Sequence, residues 1–316
     1  MSRAGLFSGT VTESAPADNA PTTKHKGHHW MQWGVGMPVP PDPSALVMMV
    51  RTDAFQYFSI APPELGDGGA VLNYNYTIDW GDGNTDTVTA WGGSEGIRHL
   101  YEDAGDHIII VTGLCEGFGV RRGGDSSFIE TQRLIEIRQW GDLGFRYLKE
   151  AFRWSVNVTI TATDKPNLTA VTDMEGMFRQ AEFIVDGLAG WDTSGIVNMQ
   201  GLFQDGGNVA GLETWNTSSV TNMRVMFASN LLFNRDISML DYSQVTDMTQ
   251  FLYAAGSPAY TTANYDALLA GLASQTLQPG VVFWASPPYT IATSQANRDI
   301  LTSAPNNWLI TDGGGI

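Results

Sequence analysis

Three histidines, His25, His28 and His29, span five positions of the chain. Neutral imidazoles spaced like this could hold a transition metal, shared between symmetry-related subunits where one chain supplies too few ligands. No cysteine or carboxylate sits beside them, so the competing reading is a polar stretch of an extended arm. A second group is Asp79, Asp82, Asn84 and Asp86. Asp82-x-Asn84-x-Asp86 imitates the opening of a calcium loop, where oxygen donors alternate along the chain. The EF-hand form needs Gly at its sixth place and Glu at its twelfth, and Thr87 and Gly93 stand there instead. A looser calcium site stays open, against the alternative that these side chains bond the backbone of a turn. No resident metal or cofactor is expected.

Catalytic patterns are missing from the sequence. It contains no P-loop, dinucleotide-binding glycine motif or H-E-x-x-H. Carboxylates abound, but no spacing nominates an acid and base pair. The expectation is a protein that is not an enzyme. The single cysteine, Cys115, cannot close an internal disulfide and is expected to be a small core residue at a strand end. Arg121-Arg122 followed by Gly123-Gly124 read as a loop between domains, with anion binding the weaker alternative.

Charge and composition narrow the partners. The net charge is −16 over 316 residues. An acidic chain repels phosphate backbones, so no nucleic acid is expected. The charge is uneven: residues 1–45 are neutral overall, whereas 46–140 and 141–316 each carry an excess of eight acidic groups. Residues 1–20 hold no apolar run of signal-peptide length, and no stretch approaches about 18 apolar residues. The chain is therefore expected to be made in the cytoplasm, without membrane insertion. With 43% hydrophobic residues and 35 glycines it suits turn-dense β or repeat structure.

Residues 1–45 end in Pro38, Pro40, Pro41 and Pro43, which favour extended backbone. They are expected to form a docking arm laid against a neighbouring subunit. Beyond them, Ala45–Val50, Tyr74–Asp79, Thr85–Thr89 and His107–Thr112 read as strands, with a turn at Asp82-Gly83-Asn84. Short strands separated by frequent turns predict a β-sandwich over 46–120.

Residues 140–255 carry an internal repeat, within a domain expected to span 121–255. Val171-Thr-Asp-Met174-Glu-Gly-Met177-Phe178 returns as Val197-Asn198-Met199-Gln-Gly-Leu202-Phe203 and as Val220-Thr-Asn-Met223-Arg-Val-Met226-Phe227. It returns again as Val245-Thr-Asp-Met248-Thr-Gln-Phe251-Leu252, and a degenerate first copy is Leu148-Lys-Glu-Ala151-Phe152. The lead residue moves through 148, 174, 199, 223 and 248, steps of 26, 25, 24 and 25. Met with apolar residues three and four places on predicts about one helical turn, capped by the preceding Asp or Asn. A short strand is expected at Phe233–Ile237. One unit cannot bury its Met, Phe and Trp alone, but stacked units form a continuous core. The stripe is thus core, and Gln200, Arg224 and Thr249, one place after successive lead methionines, are the candidate binding surface. Residues 256–316 predict an α/β cap, with helices at Tyr265–Leu272 and Gln295–Ala304 and strands at Val281–Trp284 and Trp308–Asp312.

Two resemblances follow from these residues. Asp79-Trp80-Gly81-Asp82-Gly83, His99-Leu100-Tyr101 and Gly105-Asp106-His107-Ile108 with Val111 resemble the PKD signature, with His107 where that family usually has Tyr. This implies an immunoglobulin-like sandwich that serves as a spacer or binding module. The repeats, with Trp191-Asp-Thr-Ser and Trp215-Asn-Thr-Ser upstream, resemble the BspA-like leucine-rich repeats, W-[DN]-[TV]-S-x-V-T-[ND]-M-x-x-M-F. That implies a right-handed solenoid and a surface protein implicated in adhesion. The expected fold is mainly β with short helices: sandwich, solenoid and cap. The expected function is non-catalytic display on the exterior of a bacteriophage virion, as capsid decoration or as tail fibre or tip. Its partners would be other virion proteins through the arm, a host-surface glycan or protein, and further copies in a symmetric assembly. A bacterial cell-surface adhesin and an accessory glycan-binding module are the alternatives.

Overall fold

β1 (Leu46–Thr52) is an almost unbroken apolar run, and five of its first five residues are buried. A strand reads this way when both of its faces are covered. It pairs antiparallel on one side with β6 (Gly105–Cys115) and on the other with β7 (Leu134–Gln139). β3 (Tyr74–Asp79) alternates buried and less buried residues and joins the far edge of β6. β4 (Thr85–Val88) pairs with β3, and β8 (Thr159–Ile160) lies parallel to β7, so the sheet order is β4-β3-β6-β1-β7-β8. A smaller sheet pairs β2 (Gln56–Ile60) with β5 (Ile97–Tyr101). Its Phe58, Ile60 and Tyr101 are buried in the same hydrophobic cluster as Trp80 and Ile109.

The computed structural model describes residues 42–60, 71–90, 96–120, 130–182, 187–254 and 260–316. The docking arm expected at 1–45 lies outside them but for its last four residues. The described residues belong to one compact unit, Val35–Ile316. They are mainly β with two helices, and none of those helices is long and apolar enough to cross a membrane. β7 sits in the first sheet yet follows the expected boundary at 120. Through it the main-chain hydrogen bonding runs from the first sheet into the repeats.

The repeats stack in register. Asp173, Asn198, Asn222 and Asp247 form successive parallel bridges. Before each lead residue the bonds point backward, from the Val197, Thr221 and Thr246 N–H groups to the carbonyls of Thr172, Val197 and Thr221. After it they point forward, from Gly176, Gly201 and Val225 N–H to the carbonyls of Gln200, Arg224 and Thr249. The segment after each lead methionine is not a helical turn. Met177, Arg179 and Ala181 donate to carbonyls three residues back, and the N–H groups between them bond the next copy. Gly176, Gln180, Gly201, Asp205, Val225 and Ser229 take φ between 50° and 61° to allow this. The apolar spacing is the same for a helical turn and for linked β-turns, so only the destination of the N–H groups separates them. No strand forms at Phe233–Ile237, although both of those residues are buried.

Aromatic columns fill the stack. Phe152, Phe178, Phe203 and Phe227 lie face to face at centroid steps of 5.6, 6.1 and 5.7 Å. Trp191 and Trp215 stack at 6.2 Å. The last copy becomes a true strand, β9 (Met248–Leu252), which pairs in parallel with β10 (Val282–Ala285). β10 pairs in turn with β11 (Leu309–Thr311). α1 (Thr262–Ala273) and α2 (Ile291–Thr302) make the two crossovers. The Thr261 hydroxyl caps α1 by accepting from the Asn264 N–H.

Candidate binding surfaces

His25, His28 and His29 lie outside the described residues, as do Arg121 to Gly124 and Gly93. The Asp79 group is placed. Asp79 Oδ1 accepts from the Gly81 N–H at 2.9 Å, and Asp82 Oδ1 accepts from the Asn84 N–H at 3.0 Å. Asp82 Oδ2 lies 2.7 Å from His99 Nε2, and Asp86 Oδ2 accepts from Trp80 Nε1 at 2.8 Å. One oxygen of Asp79, one of Asp86 and both of Asp82 are thus committed within the turn. Among the described residues no group of three His, Cys, Asp or Glu side chains is arranged to hold a metal.

This cluster builds the turn. Gly81 has φ +80°, and a Cβ there would stand 2.5 Å from the Ile108 carbonyl oxygen, so only glycine lets the turn reach β6. His99 stacks on Trp80 at 4.9 Å, and the Tyr101 hydroxyl donates to the Trp80 carbonyl at 2.9 Å. Burial pushes the Asp82 carboxyl up, but the bonds from His99 and Asn84 outweigh it and hold the group below its ordinary value. His107 stacks on Tyr101 at 4.0 Å, and burial lowers its affinity for a proton. Cys115 ends β6 buried, with its thiol donating to the Gly117 carbonyl and its pKa pushed up by desolvation.

Gln200, Arg224 and Thr249 fall in one row along the stack. Their backbone N–H groups donate to the side-chain oxygens of Asn198, Asn222 and Asp247 at 2.8–3.0 Å. Each such two-residue bond fixes where the next side chain emerges. The same row includes Lys149 and Glu175, whose charged ends lie 2.8 Å apart. Lys149 follows Leu148 in the degenerate first copy and Glu175 follows Met174, so both share the row's phase in the sequence. Asn222 Nδ2 donates to Gln200 Oε1 at 3.3 Å. A second row, Thr172, Val197, Thr221 and Thr246, runs beside it and remains solvent-accessible in every copy. Together the rows make a ribbon of charged and neutral polar groups at repeat intervals, interrupted by the exposed Val197.

A separate concavity of about 560 Å³ opens where β1 meets β7. Sequence reasoning missed it, because its lining comes from positions as distant as Arg51 and Asn157.

Residues 146–265 match a protein family described as "Mycoplasma protein of unknown function, DUF285". The matched stretch holds the copies that carry the BspA-like resemblance and runs on into α1. No curated protein and no solved structure matches the chain.

Proposed function

We propose that this is a non-catalytic display and binding protein. In this reading its stack is a BspA-type leucine-rich-repeat solenoid, and its first sheets form a PKD-like, immunoglobulin-like sandwich that acts as the spacer. The observation that carries it is the row Lys149, Glu175, Gln200, Arg224 and Thr249. The core phase is held strictly, while the chemistry of the row changes from copy to copy. A scaffold that fixes the backbone and varies the outward residue suits recognition. The shared sheet through β7 supports a rigid mount for that surface.

The setting proposed is the exterior of a phage virion, with residues 1–45 docking to other virion proteins. The match of 146–265 to a mycoplasma family favours a second setting, a bacterial cell surface, where the same ribbon would serve as an adhesin. Immunogold electron microscopy on a culture producing the protein separates them. Gold on particles places it on the virion and tells head from tail. Gold on cell envelopes makes it an adhesin. Gold confined to the cytosol removes both.

A further inference from the structure

We propose that Arg153 and Arg179 form a binding site for a carboxylate group on the repeat stack. They stand one copy apart at the same phase, each directly after a phenylalanine of the aromatic column. The Phe152 N–H donates to the Met177 carbonyl and the Trp154 N–H to the Arg179 carbonyl, both at 2.9 Å. The two arginine side chains therefore leave adjacent backbones side by side. The next copies carry Gln204 and the buried Ala228 at this place, which confines the positive pair to one stretch of the stack.

Neither guanidinium is satisfied by the protein. Among the described residues Arg179 makes no side-chain hydrogen bond and no ion pair, and its buried Nε–H has no acceptor. Arg153 bonds Glu150 Oε1 through Nη1 at 2.6 Å, yet its own Nε–H is also buried without an acceptor. A buried donor left unpaired is costly, and native proteins keep few of them. Here the same orphan recurs at equivalent positions of two successive copies. Arg179 is held by no bond, so turning its guanidinium toward a ligand breaks none.

The charge of the pair selects the ligand. Glu150 reaches in between the copies, where a Cβ on Gly176 would stand 3.3 Å from its Cγ and 3.8 Å from the Arg179 Cβ. Its single negative charge is spent on Arg153, which leaves one positive charge uncompensated. A carboxylate brings one negative charge and two coplanar acceptors, the match for a guanidinium fork. A sulfate or phosphate dianion would bring two charges against that one, in a chain whose net charge is −16. A neutral polar ligand would leave the excess charge unbalanced. The site lies outside the row Lys149, Glu175, Gln200, Arg224 and Thr249, so it does not rest on the display reading.

The test is NMR of the arginine Nε–H groups in the full chain, with the two signals assigned from Arg153→Lys and Arg179→Lys. The probes are methyl glucuronide and N-acetylglutamate methylamide, with methyl glucoside and inorganic sulfate as controls. At least one carboxylate probe is expected to shift both Nε–H signals, and the tighter of the two names the source, sugar acid or peptide. Arg179→Lys keeps the charge but loses the fork, so binding should weaken tenfold or more. Its melting temperature should hold, because no bond within the protein is lost. Lys165→Ala, which removes an exposed cation elsewhere on the stack, should leave binding intact. Unshifted signals with both carboxylates overturn the proposal. So does sulfate binding tighter than either, which would mark a site for tetrahedral dianions, and so does an equal response to methyl glucoside. Equal weakening in Lys165→Ala and Arg179→Lys also overturns it, since general charge attraction would then suffice.

Discussion

Asn198 Nδ2 donates to Asp173 Oδ1 at 3.0 Å, across one full step of the repeat. Asp173 also accepts from the Glu175 N–H at 2.7 Å. Its carboxyl is therefore a rung in a ladder whose next two members, Asn198 and Asn222, are neutral. Burial raises its pKa above 3.8, and the nearby Glu175 charge adds to the rise.

This fixes the sign of a substitution. A carboxyl whose folded pKa is raised destabilises the fold when ionised. The penalty is complete above the folded pKa and gone below about 3.8. Asp173→Asn keeps an oxygen for both donors and removes the charge. Its melting temperature should exceed that of the parent at pH 7, and the gap should close as the pH falls toward 4. A loss of stability at pH 7 would show that the charge itself holds the rung, through Lys149.

His107 predicts acid sensitivity. Burial depresses its pKa below 6.5, against the raising influence of Asp82 and Asp106. The unfolded chain then binds this proton more readily than the folded one, so stability declines as pH falls below about 6.5 and levels off below the folded pKa. Urea midpoints measured from pH 7.5 to 5 should slope downward. His107→Gln should flatten that slope.

Tyr101→Phe isolates the bond between the turn and β5. The hydroxyl is buried and its partner is the Trp80 carbonyl. Losing one such bond typically costs about 1 kcal/mol, with more where the carbonyl is left unsatisfied. Chemical denaturation should read that loss, with the aromatic stacking on His107 retained.

Core and surface rows should separate cleanly. Phe203 is 1% exposed within the Phe column, and truncation to Ala there is expected to cost about 3–5 kcal/mol. Arg224 is exposed, and Arg224→Ala should change stability by no more than about 0.5 kcal/mol. Adhesion of labelled protein to its target surface should fall in Arg224→Ala at unchanged melting temperature. Equal adhesion in the two proteins would remove Arg224 from the recognition ribbon.

By itself the sequence determined whatever depends on spacing along the chain. The 24–26-residue phase set which Met and Phe are buried, because a regular stack must present the same face at each step. β3 runs Tyr74–Asp79 as its alternation predicts, and α1 spans the helix expected at Tyr265–Leu272. Apolar periodicity could not say where backbone N–H groups go. A helical turn and linked β-turns share that spacing, and only the neighbouring copy, drawing alternate N–H groups outward, decides between them. Strands β2 and β5 went unread because each is short and gains its partner across 37 to 45 residues. The cleft was out of reach for the same reason. Arg51 and Asn157 meet only because β1 pairs with β7 and β7 with β8, a choice made by the shared core, to which no local segment holds the key.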